Sequence, residues 1–418
     1  MNTGLFLEIL KMDSTSGRER NLADFLAERL LTSKCRVERF DVESMRGEAP
    51  DGCGCPQNLL FSWGEPKVLF CTHLDTVPPY IPPTVVDDAS SRHSDAFLRH
   101  SGDFGGCFPC HSDTTEGSLP RHCEEPAGRR GNPPTVLRGR GTCDAKGQIF
   151  SMYEACLELE RRGYDGFGLL LLAGEETGSF GAKAFREMHP GAEWVIVGEP
   201  TDNCMASAAK GTKSFEVTFK GEAFHSGYPQ HGSSAILMFN DFVNALRSIV
   251  FPKDEVLGDT TWNIGRLSSD NPQNILSDTL TCRVYFRTTF ESDEIVCNVM
   301  KNMAGPDARL RFGRPKVQDG SDIVAKDVAP WQRAMSVTPF GGDTPTRFET
   351  LDGFPSKPVA FGSDAPQLTN CPRKILCGPG SILVAHRDNE HIALADLEQA
   401  VQNYVAIYEK LSNVSNFV

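Results

Sequence analysis

Apolar residues in the first half of the chain occur in short runs that alternate with longer amphipathic stretches. Strands are predicted at the runs CRVERFDV, NLLFSWG, KVLFCTHLDTV, FGLLLLAGEE and EWVIVGEP, and helices at NLADFLAERLL, QIFSMYEACLELERRG and SFGAKAFREMH. Short apolar strands that alternate with helices are typical of an α/β sheet covered on both faces. We therefore predict an α/β domain with a central, mostly parallel sheet flanked by helices.

The pattern changes after residue 203, where a β-α-β-β-α-β order is predicted. Its strands are predicted at KSFEVTFKGEAF, TTWNIGRL, TLTCRVYFRTT and ARLRFG, with helices at SSAILMFNDFVNALRSIV and ESDEIVCNVMKNMA. This order suits a ferredoxin-like α+β module inserted into the larger domain. The α/β domain would then comprise residues 1–202 and 316–418, and the inserted module residues 203–315.

Residues 81–135 fit neither pattern, because they are rich in Pro, Gly, Ser and charged residues. An irregular segment of this length inside a compact domain is either functional or disordered. The segment contains candidate ligands for a small structural zinc site, namely Cys107, Cys110, His111, His122 and Cys123. Their spacing differs from that of a standard zinc ribbon. A cover over a neighbouring site, a metal site and a partner contact therefore all stay open for this segment.

The composition narrows the class of protein. A length of 418 residues exceeds the roughly 250–300 residues of a single core, which agrees with two domains. A formal charge of −13 argues against nucleic acid or an anionic membrane as the main partner. The N-terminal residues lack a secretion-signal pattern, and no apolar stretch approaches the ~20 residues that span a bilayer. The 14 cysteines are accordingly interpreted as reduced thiols, and a cytoplasmic location is expected.

His73 and Asp75 lie two positions apart at the end of an apolar run, FCTHLDTVPP. Residues i and i+2 of a strand point to the same side, so both polar groups emerge together. They are either a polar strand end or a metal ligand with the carboxylate partner that fixes its tautomer. The string alone does not decide between these interpretations.

Four more polar clusters follow predicted strands or lie in loops, where open α/β sheets place their ligands. They contribute Asp144 in GRGTCDAKG, Glu175 and Glu176 in AGEETGS, Glu199 in VGEPTD and His386 in GPGSILVAH. Each has a structural alternative: a helix N-cap for Asp144, a solvated pair for the adjacent glutamates and a polar strand end for Glu199. Together the histidines and carboxylates form a ligand set suited to a pair of divalent metals.

The same strings resemble the dizinc amidohydrolase and exopeptidase family that includes acetylornithine deacetylase, succinyl-diaminopimelate desuccinylase, aminoacylase and glutamate carboxypeptidases. THLDTVP, GRGTCDAKG, AGEETGS, VGEPT, HSGYPQHGSSAI and GPGSILVAH occur in the family's order between about residues 5 and 412, interrupted by 81–135. The end of the chain, FGSDAPQLTNCPRKILCGPGSILVAH, is most similar to acetylornithine deacetylases. Asp75 and Asp144 are 69 residues apart, farther than in relatives, because the irregular segment lies between them.

The resemblance implies a role for each of these residues. His73 and Glu199 would hold one zinc ion, Glu176 and His386 the other, and Asp144 would bridge them, with Co²⁺ as a possible substitute. Asp75 would orient His73, and Glu175 would be the general base. His225, in EAFHSGYP, would stabilise the oxyanion across a dimer interface. The residues implied in substrate binding are Asn274, Arg287, Gly378, Gly380 and Ser381; glycines allow close approach of a ligand to backbone amides.

The function that follows is zinc-dependent hydrolysis of an N-acyl-L-amino acid, with N-acetylornithine or a close analogue as the first candidate substrate. A di- or tripeptidase or carboxypeptidase that uses the same centre is the alternative. A non-catalytic binding homologue is a third interpretation, but the ligand set and Glu175 are all present. The resemblance also implies a homodimer.

Overall fold

The computed structural model describes residues 1–42, 54–87, 135–312 and 328–415, and the structural statements below concern those residues. Most of the irregular segment lies outside the described ranges. The zinc site suggested there by three cysteines and two histidines, at 107–123, therefore stays a prediction.

The helices and strands of the described residues are numbered in chain order. The helices are α1 (Thr3–Leu10), α2 (Arg20–Arg29), α3 (Lys146–Arg161), α4 (Phe180–Met188), α5 (Ala235–Arg247), α6 (Asp293–Met303), α7 (Pro330–Arg333) and α8 (Leu394–Ser415). The strands are β1 (Arg36–Asp41), β2 (Gln57–Trp63), β3 (Val68–His73), β4 (Thr84–Asp87), β5 (Thr135–Arg138), β6 (Phe167–Leu172), β7 (Trp194–Val197), β8 (Met205–Ala209), β9 (Gly211–Lys220), β10 (Thr261–Ser268), β11 (Thr279–Thr288), β12 (Met335–Gly341), β13 (Thr346–Arg347), β14 (Ser356–Val359), β15 (Arg373–Leu376) and β16 (His391–Ala393).

The largest sheet has six strands in the order β1-β2-β6-β3-β7-β15. Strands β6, β3, β7 and β15 run parallel to their neighbours in that order, whereas β1 and β2 form an antiparallel edge. Helices α1, α2, α3 and α8 cover one face of this sheet, and Phe185 of α4 packs on the other. The predicted α/β fold with a mostly parallel sheet is confirmed.

The second sheet has four strands in the order β10-β11-β9-β12, and all three pairings are antiparallel. Helices α5 and α6 pack on it through a core of their own. This is the predicted ferredoxin-like arrangement, β-α-β-β-α-β in chain order.

The fourth strand of this sheet is not the one that the sequence predicts. Residues 308–312 of ARLRFG form no strand, and the carbonyl of Leu310 accepts a hydrogen bond of 3.0 Å from the Gln332 side chain. The fourth strand is instead β12, which pairs with β9. The expected end of the module at residue 315 therefore falls before its last strand, and the division of the chain into domains stays a prediction.

Two small sheets complete the described fold, with strand orders β13-β8-β14 and β16-β5-β4. Strand β16, which follows His386, pairs with β5, which ends shortly before the loop that carries Asp144. This pairing places the two segments side by side. None of the described helices is both long and apolar enough to cross a lipid bilayer.

Candidate metal centre

The carboxyl ends of the parallel strands bring the predicted ligands to one edge of the six-stranded sheet. His73 is the last residue of β3 and lies opposite Leu172, the last residue of β6. The loop after β6 carries Glu175 and Glu176, and Glu199 follows β7. A hydrogen bond of 2.8 Å from Gly198 N to Cys71 O fixes the end of β7 beside β3. Residues far apart in the chain thus meet because their strands are parallel neighbours.

Two overlapping groups of side chains at this edge are arranged so that they can hold metal ions. One group is His73, Asp144 and Glu199, and the other is Asp144, Glu176 and His386. Within each group one ligand atom from every residue lies within 4.8 Å of the others. Asp144 belongs to both groups, which matches the bridging position that the family resemblance implies for it.

Asp144 connects the two histidines directly. Its Oδ1 lies 3.1 Å from Nε2 of His73, and its Oδ2 lies 3.2 Å from Nε2 of His386. Nε2 of His386 is also 2.8 Å from Oε1 of Glu176. The interpretation of Asp144 as a helix cap is wrong, because Ala145 occupies the N-cap position of α3 and no side chain caps that helix.

His73 is oriented by the main chain of Asp75 more than by its carboxylate. Nδ1 of His73 lies 2.9 Å from the backbone oxygen of Asp75 but 3.5 Å from Oδ1. Because a carbonyl oxygen only accepts, Nδ1 carries a proton, and Nε2, which faces Asp144, is the nitrogen that becomes a ligand when it loses its own proton. With its proton on Nδ1, the neutral ring is the tautomer that a metal ligand requires.

The carboxylate of Asp75 holds the backbone of both neighbouring glutamates. Oδ1 accepts from Glu175 N at 3.0 Å, and Oδ2 accepts from Glu176 N at 3.2 Å and from the Ser16 hydroxyl at 2.9 Å. Asp75 is fully buried. The sequence spacing pointed only to His73 and did not predict this contact with the glutamates.

The side chains of the cluster have shifted pKa values because they are buried close together. Burial and the nearby Glu199 carboxylate raise the pKa of Glu175 well above its usual value, and burial does the same to Glu199. Hydrogen bonds that the His386 ring donates to Asp144 and Glu176 raise the pKa of His386 to about 10. Burial opposes the charge on His73, but hydrogen bonds to Asp144 and Asp75 outweigh it and raise that pKa as well. The cluster therefore retains protons that bound cations would replace.

The donor set fits a pair of divalent cations. Imidazole nitrogens and carboxylate oxygens are suitable ligands for zinc and related ions. No lysine or arginine of the described residues donates a hydrogen bond to the buried Asp144 and Glu199 or to the half-buried Glu175 and Glu176, so no side-chain cation pairs with these acids. Buried carboxylates without such compensation are costly unless they bind metal or protons.

Two acidic residues near the centre were not singled out from the sequence. Glu390 is buried against Arg140, with 2.7 Å between Oε2 and Nη1. Asp364 is also buried, and neither of its carboxylate oxygens has a hydrogen-bond partner among the described residues. Burial raises the pKa of Asp364 to about 7. Neither residue lies at a spacing that distinguishes it from a surface acid in the sequence.

The other predicted site residues lie on the four-stranded module. His225 is exposed in the loop between β9 and α5, and its Nδ1 accepts from Gly227 N at 3.0 Å. Asn274 lies beside it, because Ser226 N donates to the backbone oxygen of Asn274 at 2.9 Å. Arg287, in β11, faces the ring of Tyr285 at 5.1 Å and forms no ion pair with a described carboxylate. The structure therefore brings His225 and Asn274 together, but not with the acidic cluster.

The glycine-rich turn after β15 differs from its predicted role at one position. The amide of Gly378 is buried and donates to Oγ1 of Thr201 at 2.9 Å, so it is not free to bind a substrate. A Cβ atom at Gly378 would lie 2.6 Å from the backbone oxygen of Glu199. Glycine is needed there for close packing beside a predicted ligand. Gly380 and Ser381 continue the turn, and Ser381 pairs with Thr201 through an isolated bridge.

Fold and cluster together define the chain as an α/β protein with a buried acidic site suited to two cations. The family model of peptidase family M20/M25/M40 matches residues 108–410. A protein of Aspergillus niger named "Probable carboxypeptidase" is 30% identical over 426 residues, covering 96% of this chain and 88% of the fungal protein.

Solved structures share the fold. A tripeptidase from Staphylococcus aureus superimposes with a TM-score of 0.66 at 16% identity, covering 97% of this chain and 96% of the other. The aminopeptidase PepT from Bacillus cereus gives a TM-score of 0.64 at 20% identity, covering 98% of both chains. The chain belongs to peptidase family M20/M25/M40 and is an enzyme of the metallopeptidase class. The family resemblance is confirmed, whereas the closer likeness to acetylornithine deacetylases stays a prediction.

Proposed function

We propose that this enzyme hydrolyses the amide bond that precedes an L-amino acid, using two divalent metals held around Asp144. The convergence of both histidines on the two oxygens of Asp144, at 3.1 and 3.2 Å, supports this function most strongly. His73 and Glu199 would hold one ion, and Glu176 and His386 the other. Zinc is the metal proposed, with Co²⁺ as a substitute.

The bound ions would supply an acidified water and polarise the amide carbonyl. Glu175 then takes the proton from the attacking water and passes it to the leaving amine. Its backbone is held through Asp75, and burial raises its pKa, which favours proton acceptance. A base positioned in this way contributes about 10²–10⁴-fold to the rate.

His225 is proposed to stabilise the oxyanion from a second copy of the chain. Because Nδ1 accepts a hydrogen bond from Gly227 N, the neutral imidazole carries its proton on Nε2 and can donate it. The loop is exposed and carries apolar side chains, with Phe224 40% and Tyr228 58% exposed, and the nearby Leu237 is 66% exposed. Such side chains support a contact with another subunit in a homodimer.

The first candidate substrate is an N-acyl-L-amino acid of the N-acetylornithine type. Arg287 has no carboxylate partner among the described residues and suits the α-carboxylate of such a substrate by bidentate geometry. Asn274 and the turn at Gly380 and Ser381 are proposed to contact the rest of the substrate. Gly378 is left out because its amide is already bonded.

Carboxypeptidase activity is the second candidate, and the names of the fungal relatives favour it. Both reactions release an amino acid with a free carboxylate and differ only in whether an acyl group or a peptide precedes the bond. One substrate panel distinguishes them: N-acetyl-L-ornithine, other N-acetyl-amino acids, dipeptides, tripeptides and the C-terminally amidated forms of these peptides.

The purified protein should hold about two metal ions per chain by elemental analysis, and it should hydrolyse substrates with a free carboxylate only. Asp144→Asn should abolish metal binding at both positions, whereas Asp388→Asn, an exposed control in the His386 loop, should not change it. A wild-type protein that holds no metal and cleaves no substrate after addition of zinc or cobalt would refute the proposal. Cleavage of peptides but not acetylated amino acids would decide for the second candidate.

A further inference from the structure

Arg140 and Glu390 form a buried ion pair beside the candidate metal centre, although neither belongs to the proposed ligand set. Nη1 of Arg140 lies 2.7 Å from Oε2 of Glu390. Each residue is 1% exposed, so both charges are removed from water. A buried ion pair contributes little net stability on average, because desolvation offsets its attraction. The remaining contacts of the pair therefore indicate what it does.

The second oxygen of Glu390 is used by the loop that carries the shared ligand. Oε1 accepts from Cys143 N at 3.0 Å and from Asp144 N at 3.1 Å. The carboxylate thus binds two successive backbone amides and fixes the backbone from which the Asp144 side chain projects. Glu390 itself follows His386 by only four positions.

The guanidinium of Arg140 binds the two neighbouring loops. Nη1 donates to the backbone oxygen of Arg387 at 3.2 Å, and Nε donates to the backbone oxygen of Pro79 at 3.3 Å. Pro79 lies in the loop after β3, which ends at His73, and Arg387 is next to His386. Gly139 N also donates to the backbone oxygen of Glu390 at 3.0 Å.

We propose that the Arg140–Glu390 pair is a positioning unit that fixes the separation of the two metal positions. It ties together the three loops that carry or follow His73, Asp144 and His386, and it contacts only the backbone of those loops. The inference rests on the proposed function for the identity of the centre, but the connection between the loops is independent of it.

Cobalt titration of the metal-free full-length protein tests the proposal. Glu390→Gln leaves an amide opposite Arg140, and Arg140→Lys keeps the charge but loses the fork that reaches two carbonyls. Each variant should bind Co²⁺ about 10–100-fold more weakly, with a changed visible spectrum of the bound ions. The control is the ion pair of the exposed Arg162 with the half-buried Glu409, also at 2.7 Å; Arg162→Lys and Glu409→Gln should titrate like the wild type.

Hydrogen exchange of the metal-free protein provides a readout that needs no metal. Residues 139–145 and 386–390 should lose protection in Glu390→Gln and Arg140→Lys, while the six-stranded sheet keeps it. Unchanged cobalt affinity and spectrum in a folded variant, with lowered thermal stability only, would show a merely structural pair and overturn the proposal. Wild-type protein without cobalt binding would refute the proposed function. In that case the hydrogen exchange of residues 139–145 and 386–390 would still test whether the Arg140–Glu390 pair holds these two loops.

Discussion

Replacement of Asp75 by asparagine tests whether the glutamates of the centre are positioned through their backbone. The carboxylate accepts three hydrogen bonds, from Glu175 N, Glu176 N and the Ser16 hydroxyl, at 3.0, 3.2 and 2.9 Å. Asparagine has the same shape but only one accepting oxygen, so its NH₂ group would face at least one backbone N–H. The change therefore removes a hydrogen bond and places two donors against each other.

The magnitude follows from the burial of this residue. Asp75 is fully buried, so water cannot replace the lost bond. A hydrogen bond to a charged group is worth about 1.5–3 kcal/mol, and an unsatisfied buried donor costs a further 1–3 kcal/mol. If about 3 kcal/mol of this cost appears in the activation free energy because Glu175 is displaced, kcat decreases by about 100-fold. KM should change less, because Asp75 contacts no proposed substrate ligand.

Asp254→Asn is the matched control for this experiment. Asp254 is also buried, and its Oδ1 accepts from Val256 N and Leu257 N at 2.8 Å each, but it lies in the four-stranded module. Both variants should lose stability in urea titrations, and only Asp75→Asn should lose kcat on the best substrate of the panel. Wild-type kcat in a folded Asp75→Asn protein, or equal losses of kcat in both variants, would refute the reasoning.

Three further predictions concern the same centre. Glu175→Ala should keep its metal but lose at least about 100-fold in kcat; near-normal turnover would remove it as the base. When Glu175→Ala and His225→Ala homodimers are mixed, the heterodimers formed by subunit exchange should regain activity. No recovery of activity despite demonstrated exchange would contradict a shared site. Zinc binding at neutral pH should release at least one proton, measured by calorimetry in buffers of different ionisation enthalpy, because the raised pKa values of His73 and His386 keep them protonated without metal. The apparent affinity should accordingly fall as the pH falls, and an affinity independent of pH would contradict this assignment.

The sequence was sufficient to predict the central sheet and the polar residues that gather at its edge, because both follow from a local pattern; the role of those residues as metal ligands stays a prediction. Strand β2 is buried along its whole length although it contains Gln57, Asn58 and Ser62. Strands β3, β6 and β7 are also buried along their whole length, and each reads as a mostly apolar run. Parallel strands place their carboxyl ends at one edge, and polar residues that follow several such runs must therefore meet there.

Strand β12 could not be predicted in the same way. It contains Pro339, which lacks a backbone N–H and is tolerated only at a sheet edge, and β12 is an edge strand of its sheet. Its residues are mostly exposed, and the only inward apolar alternation is the short one of Met335 and Val337 at its start. Leu310 and Phe312 alternate in ARLRFG but pack on the module without forming a ladder.

The interactions that support the ligands were also beyond the sequence. Arg140 and Glu390 are 250 positions apart, and no periodicity connects them. The hydrogen bonds from Glu175 and Glu176 to Asp75 involve backbone amides, which have no signature in the choice of residue. Spacing predicts which side chains point in the same direction, whereas the partner of a buried polar group depends on the tertiary fold.

The charge of the centre explains why its supporting contacts matter. Asp144, Glu176 and Glu199 lie within ligand distance of two histidines. Burial and mutual repulsion raise the pKa values of Glu176 and Glu199 and tend to push the acids apart, so a site preformed for cations needs constraints from outside the cluster. Backbone amides that donate to the buried carboxylates of Asp75 and Glu390 supply those constraints, and the one cation involved, Arg140, is paired with Glu390. Protons compete with the metal for the same groups. A group that loses its proton when the metal binds takes up a proton again when the metal leaves.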